Sequence, residues 1–182
     1  MKPITFPCAV AKVTTMADGS FRVYLDLPET ALMQAADNGH AAVVDLLLAH
    51  GADIESRDKQ GATGLIIAAD RGHDDVVKTL LDHGANVNAR DELGASALMY
   101  AAGRGDTVVA ETLLAHGADP NLQDNDGNSA LMEAVTTNHN RLIGTLLEHQ
   151  ADPTLTDGDG HTAADLAKAS GNQEAVTALV RH

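Results

Sequence analysis

The chain has 182 residues, a formal net charge of −14, 44% apolar and only 2% aromatic residues, and one cysteine. That acidity argues against direct contact with nucleic acid, whose phosphates call for clustered Lys and Arg. Cys8 has no partner for an internal disulfide, and no apolar run approaches the ~18 residues of a membrane span. Lys2, Pro3, Pro7 and Lys12 interrupt any secretory apolar segment, so the cytoplasm is the default expectation.

Residues 1–27 share no pattern with the rest of the chain. Two β-rich runs, residues 5–15 and 21–27, flank Ala17, Asp18, Gly19 and Ser20, and Asp-Gly between such runs signals a hairpin. Phe21, Val23, Leu25 and Leu27 fall on one face by period two. An isolated hairpin is marginal in water, so this one is expected to cap the next element. The alternative is an edge strand that pairs with a partner or with a second copy, giving a monomer or a hairpin-mediated dimer. Lys2, Lys12 and Arg22 against Asp18 and Asp26 leave this segment near neutral, so the negative charge lies beyond it.

From Pro28 onward the sequence repeats. Asp58, Asp91, Asp124 and Asp157 are in register, as are Gly61, Gly94, Gly127 and Gly160, and Ala35, Ala68, Ala101, Ala134 and Ala167 keep the same step. The period is about 33 residues, the length of a helix-turn-helix plus finger unit. The units run 28–57, 58–90, 91–123 and 124–156, with a shortened 157–182 as a terminal cap. Thr30, Thr63 and Ser96 sit at helix N-caps, and Gly39, Gly51, Gly72, Gly84, Gly105 and Gly117 stand where left-handed turns end helices. The fourth unit has Asn138 and Gln150 at those glycine positions, and Gln accepts positive φ only at a cost. So few aromatics leave Ala, Leu and Val to build the core.

Within residues 58–90, Gly61, Thr63, Leu65, Ala68, Ala69, Gly72, His73, Val76, Val77, Leu80, Leu81, Gly84, Ala85, Asn86 and Asn88 form one pattern. That pattern resembles the ankyrin repeat, and the resemblance covers about residues 28–182. It implies an all-α solenoid of about five helix-turn-helix units, here preceded by the hairpin. It also implies loop fingers and a concave surface that binds another protein without catalysing a reaction. Two family positions depart: the proline after the capping Thr is Ala31, Gly64, Ala97, Ala130 and Ala163, and the family histidine is Met33, Ile66, Met99, Met132 and Asp165. Apolar packing is expected to replace a hydrogen-bonded histidine network.

His50, His83, His116 and His149 recur at one position, but stacked helices about 8–10 Å apart cannot share an ion whose ligands must lie about 2 Å away. They read as helix C-terminal residues, and His40, His73 and His139 as turn residues. The run Asp124, Asn125, Asp126, Gly127, Asn128 lacks the Glu a calcium loop needs, since Val135 occupies that place. No phosphate loop or nucleophile motif appears. The expectation is no metal, no cofactor and no catalytic residue.

What remains is the surface that does not repeat. Finger and inner-helix positions of the family fall on Arg57, Lys59, Gln60 and Arg71, then Arg90, Glu92, Leu93, Tyr100 and Arg104, then Gln123, Asn125, Asp126 and Thr137. Leu93 is apolar at a finger tip, Tyr100 is the only aromatic in the repeats, and Arg104 follows it by one helical turn. Together they are the expected centre of a protein-binding surface. The field admits a basic partner. Two further classes stay open: an acidic inhibitor that mimics nucleic acid, and a structural module that self-associates through the hairpin.

Overall fold

The computed structural model describes residues 11–15, 21–25 and 30–180. Among them, β1 (Ala11–Thr15) pairs antiparallel with β2 (Phe21–Leu25), with Val13 opposite Val23. The turn expected between them, and the way the pair meets the first repeat, lie outside the described residues. From there on the architecture is an all-α solenoid of five helix pairs. Inner helices α1 (Ala31–Asp37), α3 (Gly64–Arg71), α5 (Ala97–Arg104), α7 (Ala130–Thr136) and α9 (Ala163–Ala169) alternate with outer helices. The outer row is α2 (Ala41–Ala49), α4 (Asp74–Asp82), α6 (Thr107–Ala115), α8 (Asn140–Glu148) and α10 (Gln173–Val180).

Each inner helix begins at a hydroxyl. Thr30, Thr63, Ser96, Ser129 and Thr162 accept from the backbone N–H three residues on, satisfying one of the donors a helix start leaves unpaired. Where the family places histidine, Met33, Ile66, Met99 and Met132 are buried. Asp165 is exposed instead, and its Oδ2 accepts from the Thr162 N–H at 3.2 Å, closing a capping box.

Pairs stack through small residues. Ala36, Ala68, Ala69, Ala101, Ala102 and Ala134 are 0% exposed, and without long side chains between them the inner helices approach closely. Leu80, Leu113 and Leu146 form the matching buried column of the outer row. The recurrent histidines end the outer helices: Nδ1 of His50, His116 and His149 donates to a carbonyl one turn back at 2.8–2.9 Å. His83 instead reaches Asp45 of the preceding repeat at 2.8 Å.

The fingers are built by one aspartate each. Asp58 Oδ1 accepts from the N–H groups of Gln60 and Ala62, both at 2.8 Å, and Asp91, Asp124 and Asp157 do the same in their units. Neighbouring fingers then bond through backbone: Glu92 N–H to Gln60 O, Asn125 N–H to Leu93 O, and Gly158 N–H to Asp126 O. Arg57 donates to Gly61 O at 2.7 Å and across to Arg90 O at 2.5 Å. Arg90 repeats this on Gly94 O and Gln123 O, and Gln123 on Gly127 O and Thr156 O. The head groups of Arg57, Arg90 and Gln123, expected at a partner, are thus occupied in holding adjacent fingers together.

Asn138 and Gln150 have φ of 60° and 67°, the two non-glycine residues at positive φ among those described. No neighbour lies near a Cβ at the equivalent Gly51, Gly84 or Gly117, so the strain at Gln150 is in the backbone alone. Gln150→Gly should gain about 1 kcal/mol after the extra chain entropy glycine loses. Calorimetry should show Tm higher by roughly 2–4 °C, and a lower Tm would contradict the strain. Arg90→Ala removes two charged-donor bonds and should cost about 1–2 kcal/mol. Lys59→Ala, at an exposed finger position without such bonds, should shift stability by no more than about 0.5 kcal/mol; urea titration of both variants checks the contrast.

Candidate protein-binding surface

The fingers and inner helices enclose a groove in which one inner-helix column changes identity at every step: Gln34, Ile67, Tyr100, Glu133. Tyr100 is half-buried, and its hydroxyl donates to Asp91 Oδ2 at 2.7 Å, tying α5 to its own finger. Burial, then the Asp91 bond and the charges of Asp91, Asp70 and Asp58, push the phenol far above its ordinary pKa, so it remains a neutral donor.

Two hollows meet at this ring. The first, about 320 Å³, is polar: Asp37, Asp58, Gln60, Asp70, Arg71 and Asp91 surround its mouth. Arg71 Nε is already bonded to Asp37 at 2.6 Å. The second, about 440 Å³, lies between the third and fourth repeats and is walled by Leu93, Ala95, Met99 and Tyr100. Glu133, Asp70, Asp124, Asp126 and Arg104 line it as well. Leu93 is 67% exposed at the finger tip.

Leu93, Tyr100, Arg104, Asn125 and Asp126 therefore line one hollow, while Gln60 and Arg71 line the other. Lys59 and Glu92 are exposed on finger tips outside both linings. Asn125 spends its amide on Glu92 O at 2.8 Å, and Thr137 donates its hydroxyl to Glu133 O at 2.6 Å to end α7. Sequence reasoning passed over Glu133, Met99, Asp91 and Asp124. The signal for Glu133 was present: it is the carboxylate in the column that otherwise holds Gln34, Ile67 and Tyr100.

Glu133 is unusual in its surroundings. Its carboxylate makes no hydrogen bond or ion pair among the described residues. Desolvation, with a smaller push from Asp124, raises its pKa above the ordinary carboxylate value. Oε2 lies 3.7 Å from where a Cβ on Gly103 would stand. Glycine inside a helix costs roughly 0.5–1 kcal/mol against alanine, and nothing in this contact forbids an alanine. Among the described residues no group of His, Cys, Asp and Glu could hold a metal ion, and no helix is long and apolar enough to cross a membrane.

The stacked helix pairs and finger ladder agree with comparison to known families: the model for ankyrin repeats, three copies, matches residues 13–91 and 98–182. The chain belongs to the ankyrin-repeat family. Comparison with curated proteins found no match. Ankyrin repeats are in general protein–protein interaction modules and typically not enzymes. In this ankyrin-repeat protein the groove departs from the regular repeat at Leu93, Tyr100, Gly103 and Glu133.

A carboxylate whose folded pKa is raised binds its proton more tightly when folded, so its ionisation above that pKa opposes folding. Glu133→Gln should therefore raise Tm at pH 7. The advantage should shrink as pH falls through the raised pKa of Glu133; scans from pH 7 to 4 check it, and an advantage that grows on acidification would reverse the assignment.

Proposed function

We propose that this protein is a non-catalytic recognition module that binds a protein partner through the concave groove centred on the third repeat. One observation carries this reading. An exposed Leu93, the half-buried Tyr100 ring and the Met99 side chain converge on a single open hollow beside Arg104. Apolar and aromatic anchors in a partly desolvated centre, ringed by polar groups, are the composition of a binding hot spot. The neighbouring finger side chains Arg57, Arg90, Gln123 and Asn125 are fixed by the ladder, so the groove is presented rigidly and little ordering is left for the moment of binding.

Affinity capture on the immobilised chain, with bound proteins identified by mass spectrometry, tests this reading. Wild type should retain a partner that Leu93→Ala with Tyr100→Ala loses by at least about tenfold, the ~1.4 kcal/mol or more expected of hot-spot truncation. Circular dichroism should show the helices intact in the double variant. Undiminished capture by a folded double variant would rule the central groove out.

A further inference from the structure

The second hollow has two characters at once. Its lining is in part apolar (Leu93, Ala95, Met99 and Tyr100) and in part anionic, with the half-buried carboxylate of Glu133 among them. That carboxylate, on Glu133, has no partner among the described residues. Arg104, the one arginine in the lining, makes no ion pair with it: its guanidinium lies over Gly72 of the preceding repeat, 3.9 Å from where a Cβ would stand there. Gly103 keeps the space in front of Glu133 open, at a position where the preceding repeats carry Asp37 and Asp70. Asp70, Asp124 and Asp126 add negative charge at the rim, and the chain as a whole carries −14.

Resting on the concave-groove reading, we propose that this hollow receives one lysine or arginine side chain of the partner. The aliphatic stem lies along Leu93, Met99 and Tyr100, and the cationic head reaches Glu133. The match comes from the construction of such side chains, which bury a hydrocarbon stem and keep a charged head at a polar end. A purely apolar side chain would fill the walls and leave a half-buried carboxylate further desolvated without compensation. An acidic one would meet four carboxylates against a single arginine. A cationic head gives Glu133 the charge-assisted bond it lacks. Charge complementarity at the rim also speeds the approach of a basic segment.

The test uses small defined probes: N-acetyl-arginine amide and N-acetyl-lysine amide, with the neutral isostere N-acetyl-citrulline amide. Each is titrated into the 15N-labelled chain and followed by amide shifts. At least one cationic probe should produce saturable shifts confined to residues around 93–95, 99–104 and 133. Citrulline should bind at least about tenfold more weakly, and Glu133→Gln should weaken the cationic probe by a similar factor. Leu93→Ala, a surface truncation, should weaken it through the stem and serves as a second variant independent of the carboxylate. Three results would overturn the proposal: shifts spread over all the acidic fingers, citrulline binding within about twofold of arginine, or a folded Glu133→Gln that binds like wild type. If the probes fail while the captured partner is still lost in the Leu93→Ala, Tyr100→Ala variant, only the basic-side-chain pocket falls. If capture is undiminished too, the concave reading falls with it.

Discussion

No helix pair in this molecule owns a core; its apolar residues are buried only because another pair lies against them. One register position makes the dependence visible. Val76 and Val109 are 0% exposed and Leu142 is 1% exposed, while Val43, the same position in the first repeat, is 43% exposed. The chemistry of the residue is nearly constant, and Val76, Val109 and Leu142 each have a described helix pair on either side. With so few aromatic rings, contact between pairs falls to Ala35, Ala36, Ala68, Ala69, Ala101 and Ala102, whose small side chains let helices come close enough for Leu80, Leu113 and Leu146 to close the outer row. Stability in such an array is a sum over adjacent units, so the stacking positions tolerate little change.

The second tie runs along the fingers. Arg57, Arg90 and Gln123 use their head groups on carbonyls of their own finger and the next. On the opposite side Glu55, Asn88 and Asn121 accept from N–H groups of the next repeat. Side chains that a surface census would score as open to a partner are engaged in holding the array rigid. Freedom to carry function is left to side chains that take part in neither the stacking columns nor these side-chain ladders.

Those positions cluster. Leu93 replaces a polar finger-tip residue, Tyr100 and Glu133 are successive members of one column, and Gly103 stands in the last turn of α5 where the earlier repeats have Asp. None of these positions keeps one residue from repeat to repeat, and all four line one hollow. In a repeat protein the regular residues make the scaffold and the irregular ones mark where it is used.

Much of this was legible in the amino-acid order. The helix caps at Thr63 and Ser96, the finger turns at Asp58 and Asp91, and the left-handed positions at Asn138 and Gln150 depend on bonds and dihedrals spanning only a few residues. The period of the apolar positions fixed the solenoid for the same reason. What the order alone did not reveal was which polar side chains face inward. Arg90 reaches Gln123 O across 33 residues, a distance set by the rise from one repeat to the next. Glu133 makes no side-chain bond among the described residues, while Arg104, which lines the same hollow, lies over Gly72. Local backbone chemistry determined the units and their stacking; only the assembled spacing of those units decided which polar side chains tie repeats together and which are left in the groove.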